Sequence, residues 1–106
     1  MGKYLFQANY TSEGTKGLVR DGGSGRRASV EKAIVGLGGK LECFYYAFGD
    51  VDAYVIADLP DHETASALAL AVNQSGAASV KTVVLMTVKE VDKAAKKAVT
   101  YRPPGG

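Results

Sequence analysis

Between Gly39 and Asp61 the chain reads GKLECFYYAFGDVDAYVIADLPD, two strand-length runs around a tight turn at Gly49-Asp50-Val51. Side chains alternate between the two faces of a strand, and this hairpin is apolar on both. With the turn at 49–51, Phe48 lies opposite Asp52, Tyr46 opposite Tyr54, Phe44 opposite Ile56 and Glu42 opposite Asp58. One face then carries Phe44, Tyr46, Phe48, Tyr54 and Ile56, with acids at its rim. The other carries Leu41, Cys43, Tyr45, Ala47, Ala53, Val55, Ala57 and Leu59, a smaller and more aliphatic set that suits closely packed helices. Like charges directly opposite each other are unfavourable. The Glu42–Asp58 pair therefore calls for a bulge in the register or for a lysine, Lys40 or Lys81, between them.

The rest of the chain supplies the helices. Lys3–Tyr10 alternates as a strand, with Tyr4, Phe6, Ala8 and Tyr10 on one side and Leu5, Gln7 and Asn9 on the other. Thr11 or Ser12 caps a helix that runs to about Arg20. Asp21-Gly22-Gly23-Ser24-Gly25 breaks it. A second helical piece, Arg26–Leu37, carries Val30, Ala33, Ile34 and Leu37 at the spacing of one helix face and stops at Gly38-Gly39. The hairpin strands are Leu41–Phe48 and Asp52–Leu59. Asp61 caps an alanine-rich helix to about Gln74, with Ala65, Leu68, Ala69 and Val72 facing inward. Ser79–Val88 is a fourth strand, and Lys89–Thr100 a last helix. The tail Tyr101–Gly106, with Pro103-Pro104, cannot be helical. The order β-α-β-β-α-β plus a terminal helix predicts an α+β, ferredoxin-like fold with a four-stranded antiparallel sheet. It forms one domain over residues 1–100, followed by the tail.

Two crossover helices cover one side of such a sheet. The other side keeps an apolar area larger than a monomer ordinarily exposes, so a second copy of the chain is expected on it. A net charge of +2 gives no reason to expect nucleic acid or an anionic membrane as a partner. The single cysteine, Cys43, allows no internal disulfide and no zinc framework, and it fits a reducing cytosol. The N-terminal decapeptide has no apolar core of a secretory signal, and no run reaches membrane-span length. A cytoplasmic protein without cofactor or metal is expected.

Several stretches are identified as those of the GYD-domain family. They are Tyr10-Thr11 with Gly14, Gly38-Gly39-Lys40-Leu41-Glu42 before Phe44-Tyr45-Tyr46, Gly49 with Asp52, Pro60-Asp61, and the ending Tyr101-Arg102-Pro103-Pro104-Gly105. Together they span nearly the whole chain. The family's Gly-x-Tyr-Asp tetrad reads Gly49-Asp50-Val51-Asp52 here, so the tyrosine hydroxyl is missing. Asp58 stands where the family usually has Glu. The resemblance implies a dimeric α+β barrel and names no reaction.

Candidate chemistry is sparse. His62, the only histidine, stands in the first turn of a helix as a possible base or ligand, or as an exposed polar helix-start residue. Asp52 is a second catalytic candidate, or a turn residue that binds backbone amides. Gln7 and Asn9 interrupt an apolar strand and need partners if their face is covered. With Tyr46, Asp52 and Tyr54 they make an expected ligand-binding set in an aromatic cavity on the sheet face. Asp21–Arg27 could hold an anion through backbone amides and arginines, but it lacks the Lys-Ser/Thr of a phosphate loop and also reads as a linker. The expected function is binding of a small organic ligand by a homo-oligomer. The alternatives are an enzyme, by analogy with cofactor-free monooxygenases and haem-degrading proteins of similar barrels, and a purely structural oligomer.

Overall fold

The computed structural model describes residues 1–106. Strand β1 (Gly2–Tyr10) leads into α1 (Ser12–Gly36), then β2 (Lys40–Tyr46), β3 (Ala53–Leu59), α2 (His62–Gln74), β4 (Ala78–Leu85) and α3 (Val88–Ala95). The sheet is four-stranded and antiparallel in the order β2-β3-β1-β4, the ferredoxin-like arrangement. No helix is long and apolar enough to cross a membrane.

Local chemistry sets the element ends. The Thr11 hydroxyl accepts the Gly14 N–H at 3.2 Å and starts α1. A Cβ at Gly14 would overlap the Ala77 carbonyl, so only glycine lets this helix approach the β4 entry so closely. The expected five-residue break in α1 narrows to Gly22, whose φ of 76° and ψ of 163° kink an otherwise helical run. Asp61 caps α2 as expected, accepting the Thr64 N–H at 2.8 Å and the Thr64 hydroxyl at 2.6 Å. Strand β4 ends three residues sooner than its Val/Thr composition suggests, because Thr87 caps α3 in a reciprocal box with Glu90.

The hairpin differs from the expected register, and the difference moves side chains across the sheet. Its strands end at Tyr46 and Ala53 around a longer connection, and β2 bulges at Glu42 between Leu41 and Cys43. Leu41 pairs with Ala57, but beyond the bulge Cys43 pairs with Ile56, Phe44 with Val55, Tyr45 with Tyr54 and Tyr46 with Ala53. A one-residue slip exchanges faces. Phe44 and Tyr46 therefore sit on the helix side, and Cys43 and Tyr45 join Tyr54 and Ile56 on the open side. Phe48 lies outside the strand, fully exposed. The bulge keeps Glu42 from facing Asp58, and a lysine does sit between them. It is Lys3 rather than the expected Lys40 or Lys81, and its Nζ lies 3.2 Å from Glu42 and 3.0 Å from Asp58. Those carboxylates, Asp58 first, push the Lys3 ammonium pKa upward.

The core lies between sheet and helices. Tyr4, Phe6, Ile34, Leu41, Val55, Ala57, Leu59 and Ala65 are buried together, with Val30, Phe44, Leu68 and Val80 packed at the edge. α1 lies chiefly over β2 and α2 over β4. The central strands β1 and β3 are thus left as a floor between the two helices.

Candidate functional site

That floor is the base of a cleft of about 500 Å³. Phe6, Ala8, Ala53, Val55 and Val80 line its bottom, while Val30 from α1 and Leu68 and Val72 from α2 form walls. The side chains are small or aliphatic where the helices face each other: Gly14, Gly17 and Ala33 on one side, Ala71 and Ser75 on the other. The volume is that of an ordinary small-molecule site, and a mostly apolar lining with few polar groups is the usual pattern.

The polar groups of the lining are few: Tyr10, Glu13, Arg20, Asp21, Arg26, Ser29 and Ser75. The kink at Gly22 brings Arg20, Asp21 and Arg26 to the rim. The Asp21 carboxylate lies 3.4 Å from Arg20 and 3.8 Å from Arg26. Tyr10 reaches the cleft from β1, and Tyr46 approaches from β2, its hydroxyl donating to the Gly23 carbonyl at 2.9 Å. Burial pushes both phenols above their ordinary range. The neighbouring Tyr46 and, more weakly, Asp52 raise Tyr10 further, while the Arg26 guanidinium pulls both down. Both therefore remain protonated hydrogen-bond donors at neutral pH, beside a cation that has only a long ion pair.

Tyr10 also borders a smaller recess of about 380 Å³ with Tyr46, Phe48 and Asp52. Asp52 Oδ2 accepts the Tyr10 N–H at 2.9 Å. Its own N–H donates to the Ala8 carbonyl at 2.9 Å and to Asn9 Oδ1 at 3.2 Å. Asp52 and Asn9 thus fasten the hairpin loop to the end of β1.

The expected ligand set is divided between two faces. Gln7 and Tyr54 pair across the open side of the sheet, whereas Tyr46 lies on the helix side. The Asn9 carbonyl already has a partner. The expectation of one cavity lined by Gln7, Asn9, Tyr46 and Tyr54 is corrected: the β2 bulge removes Tyr46 from that group. His62 lines neither recess. Its Nδ1 lies 2.6 Å from the hydroxyl of buried Tyr4, with the rings edge to face, so it satisfies the one polar atom of that core side chain. Tyr10 and the α2 wall were missed as cleft-lining groups, while Arg26 was read only as part of an Asp21–Arg27 anion holder or linker. Tyr10 shares the alternation of Phe6 and could have been found by it, but the separation of the two helices has no sequence signal. No group of His, Cys, Asp and Glu is arranged to hold a metal ion.

The GYD domain family model matches residues 4–95. The chain belongs to the GYD-domain family. No curated protein and no solved structure matches it at a significant level. In this GYD domain several residues that carry the resemblance have structural duties. Thr11 and Asp61 cap helices, Gly14 permits a close helix approach, and Asp52 fastens the hairpin loop. Val51 occupies the place of the family tyrosine in that loop, half-buried and without a hydroxyl.

Proposed function

We propose that this GYD domain binds a small, largely apolar organic molecule in the cleft between α1, α2 and the sheet. The supporting observation is the cleft itself: about 500 Å³, floored by Phe6 and Val55, mostly apolar, with Tyr10 and Arg26 among its few polar groups. An apolar body would displace water from the Leu68, Val72 and Val80 walls. A hydrogen-bond acceptor or anionic group on the same molecule would meet Tyr10 and Arg26. Burial of apolar area would supply most of the affinity, and the polar groups would fix orientation.

Self-association belongs to the same proposal. The open face of the sheet carries Leu5, Tyr45, Tyr54, Ile56, Val83 and Leu85 without an intrachain cover, and Tyr45 is 69% exposed. A second copy would remove this apolar surface from water.

A screen of small aromatic and aliphatic carboxylates by methyl NMR tests the binding site. The reading expects shifts concentrated at Val30, Leu68, Val72 and Val80. Shifts confined to Leu5, Ile56 and Val83 would move the site to the open face and defeat this proposal.

A further inference from the structure

The protomer exposes 7428 Å². A compact monomer of 11.1 kDa exposes about 5,700 Å². The difference of roughly 1,700 Å² exceeds the ~800 Å² that each partner buries in a standard interface. Its radius of gyration is 16.9 Å, against about 13 Å for a domain of this length. Much of the extra reach lies at the C-terminus. Every residue from Val88 to Gly106 is exposed, and α3 has no buried residue.

Yet α3 is built as a helix that packs. Thr87 and Glu90 close a capping box at its start, and Val88, Val91 and Ala95 recur at the spacing of one face. Val88 is 81% exposed and Val91 49%. Eight residues are too few to hold a helix in water alone, and such helices depend on tertiary packing. The same chain offers the missing counterpart in its uncovered sheet face.

From this geometry we infer that the C-terminal arm, from Met86 onward, is exchanged between two copies. The apolar stripe of α3 packs against the partner's open sheet face, and the partner's arm does the same in return. This rests on the self-association proposed above and specifies its architecture. The exchange is isologous, so one patch and one arm per chain close the assembly. Arm and open face together also supply the 20–30 residues a side of a standard interface.

Isotope-filtered NMR on an equilibrated mixture of methyl-labelled and unlabelled chains tests it. The expected result is intermolecular contacts from the Val88 and Val91 methyls to Leu5, Ile56, Val83 or Leu85. Val91→Asp should weaken dimerisation at least tenfold by sedimentation equilibrium while the chain keeps its sheet signals. The same contacts found within one chain would show α3 folded back on its own sheet and overturn the exchange. A dimer whose α3 methyls touch no partner, or whose affinity Val91→Asp leaves unchanged, would overturn the exchange alone. A folded monomer at micromolar concentration would overturn both the exchange and the self-association it rests on.

Discussion

Removing the Asp52 carboxylate should loosen the hairpin loop by a definable amount. In the native chain Oδ2 accepts the Tyr10 N–H at 2.9 Å. Hydrogen bonds to charged groups contribute about 1.5–3 kcal/mol. Tyr10 and Asp52 are both half-buried, so water partly replaces the lost acceptor and the lower half of that range applies. The loop's backbone bonds, Asp52 N–H to Ala8 and Ala47 N–H to the Asp52 carbonyl, survive the change. Asp52→Ala should therefore cost about 1.5–2 kcal/mol, a fall in Tm of roughly 7–9 °C for a domain of this size. Asp52→Asn keeps an acceptor and should cost about half as much. The assay is denaturant unfolding at fixed protomer concentration, because association shifts apparent stability. The slope with denaturant should not change. An Ala variant within about 0.5 kcal/mol of the parent, or an Asn variant as damaged as Ala, would refute the latch.

Three further substitutions test the fold. Asp61 has its carboxyl held below the ordinary range, first by the Thr64 hydroxyl and then by the Thr64 N–H. A lowered folded pKa stabilises above the unfolded value near 3.8, and that contribution is lost as pH falls through the folded value. Asp61→Asn should thus flatten the acid limb of a stability profile measured from neutral pH downward, and an unchanged limb would count against the cap. Gly14→Ala forces a Cβ into the Ala77 carbonyl and should cost about 1–3 kcal/mol by denaturant unfolding. Gly36→Ala, a helical position with open space around it, should stabilise by about 0.5–1 kcal/mol in the same assay.

Element order, both main helix caps and the Gly22 break were legible because local residues decide them. Thr11, Asp61 and the glycines act within a few positions of themselves. Sheet-face assignment was only half legible. The Glu42–Asp58 conflict called for a bulge or for Lys40 or Lys81 between them; the bulge is present, and the lysine is Lys3 instead. Alternation alone could not show that the bulge sends Phe44 and Tyr46 to the helix side, nor that the lysine comes from β1, far away in sequence. The cleft was not legible. It depends on α1 lying over β2 while α2 lies over β4, which is a property of packing rather than of either helix's own pattern. His62 shows the same limit: its partner Tyr4 lies 58 residues earlier and meets it only in the folded chain.

Native mass spectrometry of the chain as purified from cells, beside an Ala71→Trp variant, addresses the binding cleft most directly. Ala71 lines the cleft and is itself exposed, so an indole there fills space without disturbing the buried core. The account predicts one retained organic molecule per protomer, on the order of a few hundred daltons as suits a cavity of this size. It predicts loss of that molecule in the variant with the oligomer intact. A molecule retained equally by both proteins would contradict a ligand site in the cleft. So would a parent protein that carries nothing and takes up none of the small apolar carboxylates offered to it.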